Sequence, residues 1–284
     1  MDNKTNYKEE VNKSISYLFK GMIIGATMLV PGVSGGTMAI ILGIYDKMVS
    51  AVSSFMKDKK RNFMILFLCA AGGCLGMFLF SRPLMLVIET YPMPSMYFFM
   101  GAVVGSVPLI FRMSKLKKFS IRGLFYVLIG AAFVLALAYI PVDTGESAAK
   151  GGMAGIVFLL IAGFVAAAAL ILPGISVSFV LLVIGLYDET VTAISSMYLP
   201  YLAPLGAGLV IGILLITRVL ERAMENYPQP TCLIILGFVL GSITEVFPGV
   251  PTGLEILLCM LTFAIGAGCI LLLSSREAKK NQSI

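Results

Sequence analysis

Histidine and tryptophan are absent from this 284-residue chain, and charge is scarce: 13% of residues are charged against 58% hydrophobic, with a mean hydropathy of +0.96. A soluble domain carries about 25% charged residues. Too little charge is present to cover a water-facing surface, so the composition describes an integral membrane protein. Without histidine, Ser-His-Asp hydrolysis, HExxH zinc chemistry and histidine haem ligation are excluded. The five cysteines (Cys69, Cys74, Cys232, Cys259 and Cys269) are odd in number, lie in apolar stretches and show no CxxC spacing. They read as small buried hydrophobes, not as disulfides or metal ligands. No cofactor or metal is expected. The net charge of +6 fits basic loops facing an anionic inner leaflet better than it fits nucleic acid.

What is present is a series of long apolar runs. Residues 1–17 are polar, lack the pattern of a signal peptide, and are expected to form a cytoplasmic N-terminal segment. Six stretches approach the length that crosses a bilayer: about 62–81, 95–111, 121–140, 198–217, 231–247 and 253–274. Two more are interrupted. Residues 18–45 are broken by Pro31-Gly32-Val33-Ser34-Gly35-Gly36, and residues 153–187 by Pro173-Gly174-Ile175-Ser176.

The two breaks belong to an internal repeat. A shift of 142 positions superposes Pro31–Ser54 on Pro173–Ser196 with 10 of 24 residues identical, among them Gly43/Gly185, Tyr45/Tyr187 and Asp46/Asp188. A shift of 136 superposes Arg82–Ser106 on Arg218–Ser242, pairing Arg82/Arg218, Glu89/Glu225, Tyr91/Tyr227 and Ser106/Ser242. Two blocks in one order at nearly one shift define two copies of a unit of roughly 140 residues. Charge then orients each copy. If 18–45 and 153–187 dip into the membrane and return, 19 of the 21 Lys and Arg fall on one side, the cytoplasmic side by the positive-inside rule, and only Arg82 and Lys150 do not.

The expected fold is therefore an all-α polytopic membrane protein of two inverted-topology repeats, each a re-entrant helical hairpin plus three transmembrane helices. Repeat 1 spans 18–140 and repeat 2 spans 153–274. An external loop (141–152) joins them, and a cytoplasmic tail (275–284) follows. The stretch 153–171 is long enough to cross by itself, which leaves its re-entry open.

Broken backbone at membrane depth is tolerated where it is buried in protein or lines a wet cavity. In the first turn Ser34, Gly35, Gly36 and Thr37 offer hydroxyls and closely approachable backbone N–H groups; Ser176 and Ser178 stand in the second. Such a turn suits an anion; its plainer reading is a helix kink with Ser34 and Ser176 as caps. Arg82 and Arg218 end matched apolar segments, and a guanidinium binds phosphate with a planar fork of donors. Snorkelling to the interface is the plainer reading. Glu89 and Glu225 follow two helical turns later on roughly the same face, as partners of the arginines or as interfacial salt bridges. Asp46 and Asp188 are candidate coupling or gating acids, with polar anchoring beside Tyr45 and Tyr187 as the alternative.

Taken together, Pro31-Gly32-Val33-Ser34-Gly35-Gly36-Thr37 with Gly43-Ile44-Tyr45-Asp46, and Leu172-Pro173-Gly174-Ile175-Ser176 with Gly185-Leu186-Tyr187-Asp188, resemble the bacterial polyprenyl-phosphate transporter family. The resemblance covers nearly the whole chain. It implies return of undecaprenyl phosphate, the lipid carrier for cell-wall polymers, from the outer to the cytoplasmic leaflet, with membrane lipid as the surroundings. Because Val177 and Phe179 replace Gly35 and Thr37, the first turn is expected to dominate phosphate contact. A transporter for a small soluble anion is the alternative. An intramembrane phosphatase or transferase is disfavoured, since neither a nucleophile–base pair nor clustered carboxylates for metal are present.

Overall fold

The computed structural model describes residues 2–29, 33–114, 121–138, 152–253 and 255–282, with side chains over 14–273 of these, and helices joined by short turns are the regular structure they form. In chain order the helices are α1 (Asp2–Thr27), α2 (Gly35–Ile41), α3 (Tyr45–Ser53), α4 (Lys59–Thr90), α5 (Pro92–Met113), α6 (Ile121–Ala138), α7 (Met153–Ile171), α8 (Val177–Val183), α9 (Tyr187–Ser195), α10 (Leu199–Asn226), α11 (Pro228–Gly241), α12 (Ile243–Val246) and α13 (Glu255–Gln282). Among the described residues, six helical stretches are long and apolar enough to cross a bilayer, or up to eight if the bent pairs α2–α3 and α8–α9 each count as one. Large apolar side chains such as Phe67, Phe78 and Leu86 stand exposed along α4. In water so much bare apolar surface would drive association, whereas in a bilayer it is the lipid-facing side.

The helices outrun the apolar runs that announce them. Helix α1 is continuous from Asp2 to Thr27, so the polar start of the chain shares one helix with the apolar run that follows, and α4 extends well past Arg82. Pro83, Pro108 and Pro204 lie inside helices without ending them. Each proline removes a single backbone donor, and the rest of the ladder on either side survives. The junction 139–151 lies outside the described residues, as do Pro31, Gly32 and Lys115–Lys118.

Two compact units are present, residues Met1–Ser106 with Phe247–Ile284, and Val107–Val246. In the first, α1 packs along α4 through glycine. Leu18 lies against Gly72, Met22 against Gly76, Gly21 against Cys69 and Gly25 against Gly73, so closely that a Cβ on Gly21, Gly25, Gly72 or Gly76 would overlap the opposing carbonyl oxygen. Small residues let two backbones approach and gain dispersion contacts where no hydrophobic drive exists. Both members of each pair advance together, so α1 and α4 run parallel. Partners are 48 to 54 positions apart, which brings residues 5–11 level with Lys59 at one end of the unit.

The second unit repeats this pairing. Leu160 lies against Gly208, Phe164 against Gly212 and Gly163 against Leu205. Each contact is the first unit's contact with 142 added on one helix and 136 on the other, the two shifts at which the sequence repeats.

The last helix of each repeat does something the sequence order conceals. In the first unit Gly101 and Gly105 of α5 lie against Phe263 and Ala267 of α13. In the second, Gly237 and Gly241 of α11 lie against Val127 and Ala131 of α6. The shift of 136 interconverts these pairs only with the partners exchanged. Helix α6 therefore packs with the second transmembrane helix of the other repeat, α11, and α13 does the reciprocal with α5. The compact units accordingly do not coincide with the stretches 18–140 and 153–274. The chain passes from the first unit to the second within α5, after Ser106, and returns after Val246.

Candidate functional site

In each unit a long helix stops, the backbone breaks, and a two-turn helix doubles back. In the first, Thr27 Oγ1 donates to the carbonyls of Ile23 and Ile24 at the end of α1. Return of the chain is visible at the far end of α2, where Lys20 Nζ of α1 donates to the carbonyl of Leu42. In the second, Leu181 and Leu186 share one buried cluster with Leu159, Ala162 and Ala166 of α7. Both short helices end in the same way. Gly43 and Gly185 adopt φ of 65° and 73°; their N–H groups bond to Ile40 and Leu182, and those of Ile44 and Leu186 reach back to Ala39 and Leu181. This is a Schellman cap, which requires left-handed backbone and hence glycine. The chain then bends by 117° into α3 and by 116° into α9.

This geometry accounts locally for the Gly-x-Tyr-Asp signature. The glycine caps one helix, the buried aliphatic residue seals the cap, and Asp46 and Asp188 stand exposed in the first turn of the next helix, where a negative charge is favourable.

Ser34 and Ser176 share a backbone conformation but not an environment. Ser34 (φ −80°, ψ 132°) and Ser176 (φ −91°, ψ 133°) both precede their helices in extended conformation. Ser176 Oγ accepts from Phe179 N–H at 3.5 Å and the residue is half-buried, with Ser178 exposed beyond it. Ser34 is 5% exposed, and its hydroxyl is buried with no hydrogen-bond partner. Gly36 and Thr37 beside it are buried and Gly35 half-buried. A helix of seven residues sums only a small dipole, so the distinctive feature of the first turn is an orphaned hydroxyl at a break in the backbone. The second turn shows the depth of such a break. Gly174 (φ 84°) is wedged against Phe238 and Val239, where a Cβ would stand 2.5 Å from backbone atoms. Phe238 is mid-way along the apolar stretch Pro228–Val246.

The packing register locates the arginines. The α1–α4 offset of 48 to 54 puts Arg82 just beyond the level of Thr27, where α1 ends and Gly35 returns to lie against Met28, and the α7–α10 offset of 42 to 48 puts Arg218 level with the end of α7 at Ile171. Each arginine is thus at the height of its own unit's broken turn. Both are exposed, as are Glu89 and Glu225, which the helical repeat carries onto the same outer faces.

Two features carry no motif. An apolar groove of about 570 Å³ runs between the end of α4 (Leu84, Val87, Ile88, Tyr91), the start of α5 (Ser95, Phe98, Phe99) and α13 (Leu258, Thr262); Arg82 projects from the other side of α4. Glu245 on α12 has both carboxylate oxygens buried and unpartnered. A lone acid closing the apolar run 231–247 was the only trace of it in the sequence. Among the described residues no group of three Cys, Asp or Glu side chains converges to hold a metal ion.

Residues 24–259 match the model of the undecaprenyl phosphate translocase-like family. The chain is 32% identical over 262 residues to a polyprenyl-phosphate transporter of Staphylococcus aureus (strain NCTC 8325 / PS 47), covering 88% of this chain and 92% of that protein. It is 30% identical over 260 residues to a polyprenyl-phosphate transporter of Vibrio cholerae serotype O1 (strain ATCC 39315 / El Tor Inaba N16961), covering 83% and 79%. No solved structure matches it. With paired glycine-capped hairpins, a multi-pass apolar exterior and matches over most of its length, the chain belongs to the undecaprenyl phosphate translocase-like family, a family of transporters and not of enzymes.

Proposed function

We propose that the protein is a flippase that carries undecaprenyl phosphate, or a related polyprenyl phosphate, from the outer to the inner leaflet of the bacterial cytoplasmic membrane, returning the carrier lipid for reuse. The carrying observation is the buried, unpartnered Ser34 hydroxyl at the first broken turn, level with Arg82. A hydroxyl, small-residue backbone and a guanidinium at one depth are what a phosphate monoester needs. The two repeats are inserted head to tail as re-entrant hairpins, with both termini cytoplasmic. This reading draws support from the recurrence of the glycine contacts of α1 on α4 in α7 on α10, at shifts of 142 and 136, and from the position of residues 5–11 level with Lys59.

Ser34, Gly35, Gly36 and Thr37 bind the headgroup first, with Ser176 and Ser178 the weaker second contact. Arg82 and Arg218 draw the phosphate in from opposite faces, and Glu89 and Glu225 hold the arginines between passages. The prenyl chain stays outside the polar path, in lipid or along the groove beside Phe98 and Leu258. That groove is apolar and open at the surface of the first unit, which favours a lipid over a soluble anion.

The test is reconstitution of the purified protein in vesicles with a prenyl phosphate, reading the fraction accessible to external phosphatase. Arg82→Ala and Arg218→Ala each remove a charge-assisted contact of about 1.5–3 kcal/mol, so transport should fall roughly 10- to 150-fold. Unchanged rates in both variants refute the arginine assignment. Equal uptake of labelled inorganic phosphate by the wild type refutes the lipid.

A further inference from the structure

The second unit holds an acid that the proposed lipid path does not use. Both oxygens of Glu245 are buried without a hydrogen-bond partner near the end of the apolar stretch Pro228–Val246. The segments joined to it in sequence, and α6 packed along α11, are poor in charge. Cys232 is the one ionisable side chain of α11, from which α12 continues, and the following segment 247–253 has none. Helix α6 runs parallel to α11 and carries only Arg122 and Tyr126. The register of Val127 on Gly237 and Ala131 on Gly241 puts both at the opposite end of the pair, the arginine about 20 Å away along the axis. Helices α7 and α8 carry no ionisable side chain.

A carboxylate so placed bears its charge without compensation, while the neutral acid does not. A divalent ion is commonly held by several carboxylates, and no group of three Cys, Asp or Glu side chains converges here among the described residues. A proton requires a single carboxylate. The acid is also not a demand of the repeat, since the shift of 136 puts Leu109 at the corresponding place. There α5 runs unbroken to Met113, whereas α11 stops at Gly241, α12 restarts after Ser242, and the chain leaves the second unit after Val246. Glu245 therefore combines an uncompensated carboxyl with a joint in the chain.

We propose that Glu245 is a proton-binding site, and that gain and loss of its proton at this joint couple lipid-phosphate transport to a proton gradient. The coupling rests on the transport reading given above; the proton site itself does not. Two measurements separate them. In vesicles holding a prenyl phosphate, a gradient of about one pH unit with one proton per lipid sustains up to about a tenfold difference between leaflets. The wild type should approach that ratio, whereas Glu245→Gln and Glu245→Leu should still equilibrate the lipid but hold a ratio near one. A gradient-driven ratio that survives in both variants overturns the proposal, as does a wild type that moves lipid without responding to the gradient. A wild type that moves no lipid at all refutes the transport reading instead. The proton is then judged separately by dicyclohexylcarbodiimide, which attacks protonated carboxyls in apolar surroundings. Modification of Glu245, read by mass spectrometry and declining as pH rises, is the expected result. Absence of that adduct at every pH overturns the site.

Discussion

Replacing Ser34 by alanine should make the protein more stable and less active. The hydroxyl is hydrated in the unfolded chain and, in the fold, is buried with no partner, a cost of about 1–3 kcal/mol. No capping bond is lost on its removal, because Ser34 makes none. Ser34→Ala should therefore raise folding stability by about 1 kcal/mol or leave it unchanged. Ser176 is the internal control: its hydroxyl accepts from Phe179 N–H, and losing a helix N-cap costs about 0.5–2 kcal/mol. The long 3.5 Å contact places Ser176→Ala at the low end of that range. If Ser34 meets a phosphate, its deletion also removes a hydrogen bond to a charged group, about 1.5–3 kcal/mol or roughly 10- to 150-fold in affinity. Thermal unfolding in detergent, with and without added prenyl phosphate, reads both effects at once. The expected pattern is a higher midpoint for Ser34→Ala without ligand, a smaller ligand-induced rise, and a lower midpoint for Ser176→Ala. Should Ser34→Ala unfold earlier than wild type while keeping the full ligand-induced rise, the hydroxyl is a structural cap and the phosphate assignment is wrong.

Glycine substitutions should divide sharply. Gly208→Ala and Gly101→Ala thrust a Cβ into the backbones of α7 and α13 and should cost about 1–3 kcal/mol as overpacking, whereas Gly206→Ala and Gly268→Ala face open space and should gain up to about 1 kcal/mol from helix propensity, all readable from melting midpoints. Single cysteines at Ser14 and Lys57, in a background without the native cysteines, should react with an impermeant maleimide from the same side of the membrane, since α1 and α4 run parallel from one end of their unit; labelling from opposite sides would contradict the re-entrant hairpin.

Much of this protein is legible along the chain. Composition alone demands a bilayer, and two sequence shifts announce the duplication. Gly43 and Gly185 stand out as matched positions, and the structure supplies their reason, since each ends a helix in the left-handed backbone that a Schellman cap needs. Matching side chains, however, do not ensure matching environments. Ser34 and Ser176 are the same residue in the same backbone conformation, yet one is sealed and unpartnered and the other caps its helix. Packing from outside the motif decides that difference. Glu245 likewise has no counterpart in the first repeat, so the duplication could not point to it.

Which helix pairs with which was decided by tertiary structure alone. Gly130 of α6 and Gly266 of α13 occupy equivalent places in the two repeats, and each offers the same small-residue face. Close helix packing in lipid rewards any backbone that can approach, whichever repeat it comes from. The linear order therefore specifies two copies of the apolar segments and their capped turns. Only the folded chain exchanges their final helices and sets each arginine at the height of a broken turn, because depth and partnership are properties of the packed register and not of any single segment.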